Sequence, residues 1–410
     1  MSSVTVDAIN RAFYGRFQFP QPPVAFDAPV DPSFETTMLN QSLGDWDHTS
    51  VAQAARFWVA GCGTNQAVFT GLRFPNATIV ASDLSAESLA SAGRSADALS
   101  VRNVEFRNES VNSACYQEEF DFIICTGVIH HNADPRASLS KLARALRPAG
   151  FIELMVYNRY HRVSRAAFQK AVHLLCVGAD FENELRVAKA IARSLRTASS
   201  MDQLLERQLC ASEAEFADAL LQPVEHSYTV ESLQELLAEC GLELLVPCIN
   251  QYDKAAGHFH WNLEFADGEV AARYLALPDL ERWKITNHLL LEQGPFLWFY
   301  VGRRDSGRGR RSEGTLCQEF LERCFVRSAT RKRLYLRATT GLYQASPKLV
   351  DYPGTHPNEV CRRVIENIAR GPRRPMSTVF DELGLSHDFM TTNKLRLCLT
   401  TSLFPFLTAA

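Results

Sequence analysis

Between residues 55 and 157, short apolar runs alternate with longer segments whose apolar residues recur every three or four positions. The short runs have the length and composition of buried parallel strands, and the longer segments have the spacing of amphipathic helices. The predicted strands are 56–60, 78–81, 104–106, 120–125 and 151–157, with helices predicted at 85–98 and 137–146. Regular alternation of this kind predicts an α/β fold built on a doubly wound parallel sheet.

The pattern changes after the fifth predicted strand. Residues 158–225 contain few strand formers and space their apolar residues as helices do, most clearly over 182–209, so they predict a helical cap insertion. The segment 249–294 is irregular and is predicted to be a second, lid-like insertion. The remaining predicted elements are a helix, a strand and a final strand at 230–240, 242–246 and 295–303.

Residues 1–50 are rich in aromatic residues and proline. Proline removes a backbone donor and restricts the residue before it, which disfavours long helices, whereas aromatic side chains favour burial. We therefore predict an N-terminal arm that lacks long helices and packs over the neighbouring domain.

The chain has 410 residues and a formal net charge of −3, a length that predicts two or three domains. From residue 303 to the end, 19 Lys and Arg stand against 10 Asp and Glu, giving +9, while the rest carries −12. The charge change separates a sheet domain at 51–303 from a solvated linker at 304–311 and a basic accessory unit of mixed α and β structure at 312–410. Its predicted elements are helices at 316–325, 358–370, 377–383 and 391–403, and a hairpin at 333–344.

Several protein classes are disfavoured by composition. No uncharged apolar stretch approaches the roughly 18 residues that a membrane-spanning helix needs, and residues 1–11 lack the features of a secretory signal. Eleven cysteines without a C-x-x-C pair fit free, buried thiols better than disulfides or a zinc site. We expect a cytoplasmic protein without a membrane segment.

The first predicted strand leads directly into Gly61-Cys62-Gly63. Two glycines there allow a tight turn and a close approach of the backbone to a ligand, while free N–H groups at the start of the next helix face it. Asp83 ends the next strand, where a carboxylate can accept hydrogen bonds from both hydroxyls of a ribose. The order of strand, glycine loop, helix, strand and acid predicts a ligand that contains a nucleoside.

Four motifs in this order resemble those of class I S-adenosylmethionine-dependent methyltransferases. They occupy residues 59–64, 83–85, 120–131 and 146–151. The resemblance is close over 55–160 and looser as far as residue 303. It implies a Rossmann-like, seven-stranded methyltransferase sheet, S-adenosyl-L-methionine as the cofactor, and methyl transfer as the activity.

The resemblance also implies which residues contact the cofactor. Gly61 and Gly63 would cradle its methionine part, and Asp83 would hold its ribose. Leu84 and the segment after the third strand would line the adenine, and the end of the fourth strand would pass near the sulfonium. The full implied set is Gly61, Cys62, Gly63, Gln66, Asp83, Leu84, Asn108, Ser110, Thr126, Gly127 and Val128.

Three positions depart from the pattern of that family. Val59 stands where an acid is common, Asn65 replaces a third glycine, and the acid of the adenine edge is replaced by Ser110 or displaced by one residue. Without a carboxylate at position 59, the cofactor ammonium needs another partner. We hypothesise that Gln41 or Tyr14 of the arm supplies it.

Methyl transfer from a sulfonium depends chiefly on holding the acceptor in line with the departing sulfur, and it needs a base only where the acceptor loses a proton. His131 and Tyr157, which follow the fourth strand and end the fifth, are the candidate catalytic residues, although such a histidine can equally shape its loop. Candidate acceptor contacts are Asn158, His161 and His260. The histidines of the lid-like insertion lack a convincing third ligand, so no metal site is predicted.

The sequence favours methyl transfer to a small-molecule acceptor, as in specialised metabolism. Two alternatives stay open: methylation of a protein or carrier-bound acyl chain, with the basic unit binding an acidic protein, and a regulatory protein that binds the cofactor without transferring methyl. The basic unit carries no recognised RNA motif, which makes a nucleic-acid partner unlikely. Docking onto the acidic body, or homodimerisation, is the simpler explanation of its charge.

Overall fold

The computed structural model describes residues 3–248, 261–290, 293–307, 309–352 and 357–410. Its strands belong to one large sheet and two small ones. In chain order they are β1 (Ala25–Pro29), β2 (Arg56–Ala60), β3 (Thr78–Asp83), β4 (Val104–Asn108), β5 (Phe120–Thr126), β6 (Leu146–Tyr157), β7 (Leu242–Pro247), β8 (Phe296–Arg303), β9 (Phe325–Arg327), β10 (Thr330–Arg337), β11 (Tyr343–Tyr352), β12 (Phe404–Pro405) and β13 (Leu407–Ala409).

The large sheet has seven strands in the order β4-β3-β2-β5-β6-β8-β7. Neighbours from β4 to β6 are parallel, and β8 runs antiparallel to both β6 and β7. The predicted Rossmann-like, doubly wound α/β fold is thus confirmed, including its seven strands. β6 begins earlier than predicted because Leu146 already pairs with Phe120, ahead of a register shift.

Helices cover both faces of this sheet. Trp58 faces α5 and α10 in one apolar core, whereas Phe57 and Val59 lie in a second core with residues of α3 and α4. No helix in the described ranges is long and apolar enough to cross a membrane. In chain order they are α1 (Ser3–Arg16), α2 (Phe34–Ser42), α3 (Gln66–Arg73), α4 (Ala86–Ala98), α5 (Pro135–Ala145), α6 (Arg159–Leu175), α7 (Phe181–Ser194), α8 (Ser200–Leu209), α9 (Glu213–Leu220), α10 (Val230–Glu239), α11 (Gly268–Leu275), α12 (Asp279–Leu290), α13 (Glu313–Glu322), α14 (Glu359–Arg370), α15 (Met376–Leu383) and α16 (Phe389–Thr400).

The N-terminal arm corrects one prediction, because it contains a helix of 14 residues, α1. Its prolines lie only between residues 20 and 32, beyond the end of α1, so they cannot interrupt it. Phe13 and Phe17 are fully buried in an apolar core shared with the cap. The arm then continues through β1 and α2.

The cap consists of α6 to α9. The helical pattern over 182–209 corresponds to two helices, α7 and α8, separated by residues 195–199. The Asp202 carboxylate accepts hydrogen bonds from the backbone N–H groups of Thr197 and Ala198, which stabilises the turn between them. Apolar periodicity alone does not reveal such a break, since both helices bury the same kind of face.

The described part of the lid-like insertion forms α11 and α12. Trp261 and Trp283 are buried against Phe299 of β8, with ring centroids 5.4 and 5.5 Å apart. This part of the insertion therefore packs on the sheet. Residues 249–260, which include the candidate His260, lie outside the described residues.

The C-terminal unit shares a sheet with the N-terminal arm. β10 pairs antiparallel with both β1 and β11, and Phe26 lies opposite Tyr335. The predicted hairpin is present, but its strands extend further than predicted, to residues 330 and 352. β13 pairs with β9 in a second small sheet.

Charged side chains at the start of the C-terminal unit are buried against the sheet domain. Arg310 pairs with Asp279 at 2.8 Å and stacks over the Trp283 ring at 4.8 Å. Glu313 accepts hydrogen bonds from the Trp283 indole N–H at 3.1 Å and from Asn262 at 3.0 Å. The end of the segment predicted as a solvated linker is therefore packed at Arg310, because its guanidinium finds a buried carboxylate.

All eleven cysteines are free. Seven of them are buried, as predicted for small apolar side chains, whereas Cys115 and Cys210 are exposed.

Candidate active site

The loop after β2 carries two glycines with a left-handed backbone. Gly61 has a φ of +71° and Gly63 a φ of +53°, a region that side chains with a Cβ rarely adopt. A Cβ at Gly61 would collide with the Val128 side chain, and one at Gly63 would meet the Phe19 carbonyl at 3.4 Å and Pro20 at 3.5 Å. The loop is therefore enclosed between the end of β5 and the N-terminal arm.

Asp83 lies at the carboxyl end of β3, beside that loop. Its carboxylate accepts hydrogen bonds from the Gly63 and Ser85 backbone N–H groups, each at 2.8 Å. Burial raises the pKa of this carboxyl group, against the lowering effect of its backbone donors. A carboxylate can accept about four hydrogen bonds, so both oxygens retain capacity for ligand hydroxyls.

The next strand end holds the loop that contains Asp83. The Asn108 amide donates to the backbone carbonyls of Asp83 at 2.9 Å and Leu84 at 3.0 Å. Ser110 is buried, and its hydroxyl accepts from the Asn112 N–H at 3.0 Å. The predicted adenine edge therefore adjoins the predicted ribose acid.

The remaining predicted cofactor residues meet at the same point. The Gly127 N–H donates to the Met155 carbonyl at 3.2 Å, which fixes the end of β5 against β6. Cys62 is buried, and its carbonyl accepts from the N–H of Gln66, the first residue of α3. Residues predicted from three of the motifs and from the segment at the end of β4 thus meet at the carboxyl edge of the sheet, in the crevice where ligands of such folds bind.

Helix α1 lies across this crevice. The Asn10 amide donates to the His131 carbonyl at 2.7 Å, and Asp7 accepts from Asn112 at 3.0 Å. Gly15 faces α4, since a Cβ there would lie 3.3 Å from a Glu87 carboxylate oxygen. The helix therefore spans the loops that follow β3, β4 and β5.

A polar cluster joins α1 to the cap. The Tyr14 hydroxyl donates to the Asp218 carboxylate at 3.3 Å and accepts from the Gln222 amide at 2.6 Å. Asp218 is buried, and this burial raises its pKa to about 6. Burial also raises the pKa of Tyr14 well above its usual range, with further contributions from Asp218, Tyr157 and Asp83. Tyr14 is thus within electrostatic range of Asp83, the predicted ribose acid, and of Tyr157 at the end of β6.

His131 is buried at the start of the loop after β5. Its Nδ1 lies 3.0 Å from the Val224 carbonyl, and because a carbonyl only accepts, Nδ1 carries the hydrogen. Burial lowers the pKa of His131 to about 4. Its ring is neutral at physiological pH, with Nε2 left as an acceptor, so it is a weak base.

Tyr157 packs among rings at the end of β6. Its ring centroid lies 4.1 Å from that of His130 and 5.5 Å from that of His131. The Arg162 guanidinium lies 4.3 Å above the Tyr157 ring and forms a buried ion pair with Glu225. Burial raises the pKa of Tyr157, so its hydroxyl stays protonated and can serve as a donor.

The candidate acceptor contacts Asn158 and His161 lie in different surroundings from His131 and Tyr157. Asn158 is buried, and its amide donates to the Gly294 carbonyl while its oxygen accepts from Asn287 and the Tyr160 N–H. Because its hydrogen bonds are used within the protein, Asn158 holds α6 and is not free to bind an acceptor. His161 lies half-buried in the first turn of α6. Nowhere in the described residues do three metal-ligating side chains converge.

Gln41 is not at the crevice, so the hypothesis that it replaces the acid at position 59 is wrong. Its amide donates to the carbonyls of Thr400 at 2.9 Å and Leu407 at 3.1 Å, and its oxygen accepts from the Ala409 N–H. Gln41 therefore joins α2 to the C-terminal unit. Tyr14, the other hypothesised residue, does lie over the crevice.

Some of the buried side-chain oxygens near the crevice lack a donor. The side-chain oxygens of Asn10, Asn65 and Gln222 are buried and receive no hydrogen bond from any residue that the structure describes. Asp218 likewise has no Lys, Arg or His within ion-pair distance in these ranges. Buried acceptors without donors are costly. Their surplus fits a ligand that is cationic or rich in donors.

Sequence reasoning missed the cap residues of this site. Asp218 falls on the buried side of α9 with Ala214, Ala217 and Leu221. An acid inside an otherwise apolar helical face is the one signal that points to it, since a buried carboxylate usually has a partner or a function. Nothing local in the sequence indicates that Tyr14 is its neighbour.

One comparison with known proteins matches the part of the chain that forms this crevice. A family profile described as "Methyltransferase domain" matches residues 58–152, which contain the glycine loop, Asp83 and the end of β5. An uncharacterized protein of Synechococcus is 32% identical over 196 residues, which cover 45% of this chain and 46% of that protein. The chain thus matches less than half the length of this curated relative.

Two solved structures of PKMT2 from Rickettsia typhi share the fold. The complex with AdoHcy has a TM-score of 0.58 at 13% identity, over 95% of this chain and 77% of that chain. The other has a TM-score of 0.56 at 13% identity, over 95% and 76%. At this identity the likeness concerns the fold. The profile match shows a methyltransferase domain at residues 58–152, and the seven-stranded topology is the one that the resemblance to class I S-adenosylmethionine-dependent methyltransferases implies.

Proposed function

We propose that the protein transfers a methyl group from S-adenosylmethionine to a small-molecule acceptor. The observation that carries the proposal is the closed roof of the crevice, in which α1 and the cap meet through Tyr14, Asp218 and Gln222. An acceptor beneath this roof must fit between side chains that already contact one another. A small molecule meets that requirement more easily than a folded protein or a polymer.

The residues present fit the cofactor. S-adenosylmethionine carries a sulfonium and an ammonium, and the crevice has buried acceptor atoms without donors at Asn10, Asn65 and Gln222. We assign the ribose to Asp83 and the methionine part to the loop at Gly61 and Gly63, as the family resemblance implies. When bound, the cofactor supplies a methyl group that is already activated for displacement.

Asp218 is the residue that we assign as proton acceptor, in place of His131. A base works best when its pKa lies near the operating pH, and the pKa of about 6 at Asp218 meets this condition better than the pKa of about 4 at His131. The Tyr14 hydroxyl donates to Asp218 at 3.3 Å and so helps to orient the carboxylate. His131 Nε2 can accept a hydrogen bond that orients the acceptor.

Tyr157 faces the same space with a polar group. Its hydroxyl makes no hydrogen bond to the residues that the structure describes, although its ring is fixed by His130 and Arg162. A fixed ring with a protonated hydroxyl is suited to orienting an acceptor atom. We therefore assign Tyr157 a positioning role rather than a role as base.

The function is tested by incubating the protein with methyl-labelled cofactor and cell extract from the source organism, then separating low-mass from macromolecular products. We expect label in the low-mass fraction, blocked by excess S-adenosylhomocysteine, with the acceptor identified by mass. Label confined to macromolecules would instead establish the protein or carrier alternative. Cofactor binding without label in either fraction would establish the regulatory alternative.

We propose that the basic surplus of the C-terminal unit serves docking onto its own body. Lys332 pairs with Asp27 at 2.9 Å and Arg323 with Asp47 at 2.7 Å, in addition to the buried pair of Arg310. An acidic protein partner, a homodimer and a cytoplasmic location stay predictions. Light scattering of the purified chain distinguishes the two explanations of the basic surplus, since docking within one chain gives a monomeric mass and homodimerisation gives twice that mass.

A further inference from the structure

Arg165 stands out among the arginines of the cap. It lies on α6, one turn after His161, and is half-buried. Its guanidinium donates to the backbone carbonyl of His161 at 3.2 Å. Within the ranges that the structure describes, no carboxylate lies within ion-pair distance of it. Removing a guanidinium from water without a counter-ion costs free energy, so the half-buried position of Arg165 needs a physical explanation.

The nearby carboxylate is already engaged. Glu225 accepts from Arg162 through both of its oxygens and from the Gln169 amide at 3.1 Å. Arg162 and Glu225 together are neutral, and their side chains are only 5% and 6% exposed. Glu225 therefore cannot also neutralise Arg165 by direct contact.

A second unpaired cation lies on the outer side of Arg165. Arg207, on the adjacent helix α8, is exposed and donates to the Gln203 carbonyl of its own helix at 3.3 Å. Burial, then the charges of Arg162 and Arg207, lowers the pKa of Arg165 to about 10. Arg165 therefore remains charged at physiological pH, beside two other guanidinium groups.

The cluster leads toward the crevice. Arg162 is buried above the Tyr157 ring, Arg165 is half-buried, and Arg207 is exposed. Arg165 lies within electrostatic range of Tyr157. Unpaired positive charge thus extends from Arg207 at the surface to Arg165, which lies one turn from the neutral pair of Arg162 and Glu225, and this arrangement attracts anions and orients them.

We propose that Arg165, with Arg207 at its outer side, forms a subsite for an anionic group of the acceptor, a phosphate or a carboxylate. This inference rests on the function proposed above, and it deepens it: the acceptor is a small anionic molecule whose nucleophilic atom reaches toward Asp218 while its anion is held at the mouth of the cap. Guanidinium groups bind both anions through paired N–H donors.

The test uses the full chain and two simple probes, inorganic phosphate and succinate, in separate calorimetric titrations. We expect one of them to bind at one site with a dissociation constant on the order of 1 mM. Because a charged hydrogen bond contributes about 1.5–3 kcal/mol, Arg165→Gln should weaken binding by about tenfold to a hundredfold. Arg102→Gln, which removes an exposed ion-paired arginine, should leave it unchanged.

Thermal unfolding separates binding from a structural role. Arg165→Met removes a half-buried charge without a counter-ion, so it should raise the melting temperature while abolishing binding of the probe. A lowered melting temperature together with unchanged probe binding would show that Arg165 only supports α6. Failure of both probes to bind the native chain would also overturn the subsite.

These titrations do not depend on methyl transfer, so they test the anion subsite separately from the proposed function. Absent methyl transfer with intact, Arg165-dependent probe binding would overturn the function alone. Label in a low-mass product that an anion exchanger does not retain would overturn the anionic acceptor while leaving methyl transfer established.

Discussion

The floor and the roof of the crevice are built in different ways. The floor consists of loops that directly continue the strands of the sheet, so Gly61, Asp83 and Val128 are positioned by backbone that the fold itself fixes. The roof is assembled by side chains from distant parts of the sequence, Tyr14 of α1 and Asp218 of α9. The proposed cofactor site is thus built by the fold itself, whereas the proposed acceptor site depends on contacts between separate insertions.

The two regions also differ in their electrostatics. In the floor, backbone N–H groups donate to Asp83, and the charge is compensated locally. In the roof, Asp218 and Arg165 are buried or half-buried charges without ionic partners of their own in the described residues. Unpaired charges of this kind are expected where a ligand completes the set.

The largest effect is expected from removing the Asp83 carboxylate from the floor. Asp83→Ala should weaken S-adenosylhomocysteine binding by about a hundredfold to ten-thousandfold, because two charge-assisted hydrogen bonds to ribose are lost at about 1.5–3 kcal/mol each. Calorimetry measures the change. Asp97→Ala, at an exposed pair with Arg102, is the control and should bind normally. Normal affinity in Asp83→Ala would refute the ribose assignment.

The next largest effect is expected where β1 of the N-terminal arm packs against the C-terminal unit. Phe26 is fully buried between Phe69 of α3 and Tyr343 of β11, with centroids 4.5 and 4.8 Å away. Phe26→Ala should reduce the free energy of unfolding by about 3–5 kcal/mol, as expected for a core phenylalanine. Urea denaturation measures the loss, and Val24→Ala, at a residue 82% exposed, is the matched control. Equal stability of the two variants would show that β1 contributes little.

Asp218→Asn tests whether the roof performs chemistry while the floor binds. We expect turnover to fall by about 100-fold or more, as for loss of a general base, with S-adenosylhomocysteine affinity nearly unchanged. Steady-state kinetics and calorimetry give the two values. A parallel loss of both would place Asp218 in cofactor binding instead.

The pH dependence sharpens the same assignment. Because burial raises the pKa of Asp218 to about 6, the rate should rise through pH 6 and level above it, and this rise should disappear in Asp218→Asn. Stability should change in the opposite sense: between its unfolded and folded pKa values, the folded state binds more protons at Asp218, so this residue's contribution falls as the pH rises. An identical rate profile in the variant would exclude Asp218 as the base.

Tyr14→Phe should give the smallest effect. The variant loses the hydroxyl between Asp218 and Gln222 but keeps the ring, and a single hydrogen bond contributes about 1 kcal/mol, or about fivefold in rate. We expect this decrease in turnover with cofactor affinity unchanged. A larger loss of cofactor affinity than of turnover would revive Tyr14 as the partner of the cofactor ammonium.

The contrast explains how much could be predicted from the sequence. The floor was predictable, because Gly61, Gly63 and Asp83 lie at fixed positions relative to strands that buried apolar runs reveal. The roof was not, because nothing near Tyr14 in sequence indicates that Asp218 lies opposite it. Long-range pairing of side chains depends on how the insertions pack, which local patterns do not encode.

Two wrong predictions have the same origin. The proline content of residues 1–50 suggested an arm without long helices, but composition averaged over the segment hid that the prolines follow α1. Gln41 was assigned to the crevice because it belongs to the arm, yet α2 carries it to Thr400 and Leu407. Proximity along the chain did not imply proximity in the fold.

The pairing of β1 with β10 has a consequence for the order in which the protein forms. Residues near 27 can join their sheet only after residues near 334 have been synthesised, and contacts so far apart in sequence form slowly because a long loop must close. The strands of the floor are complete long before that point. A nascent chain can therefore form the strands of the floor early, whereas β1, although made near the start of the chain, is among the last strands to reach its final position.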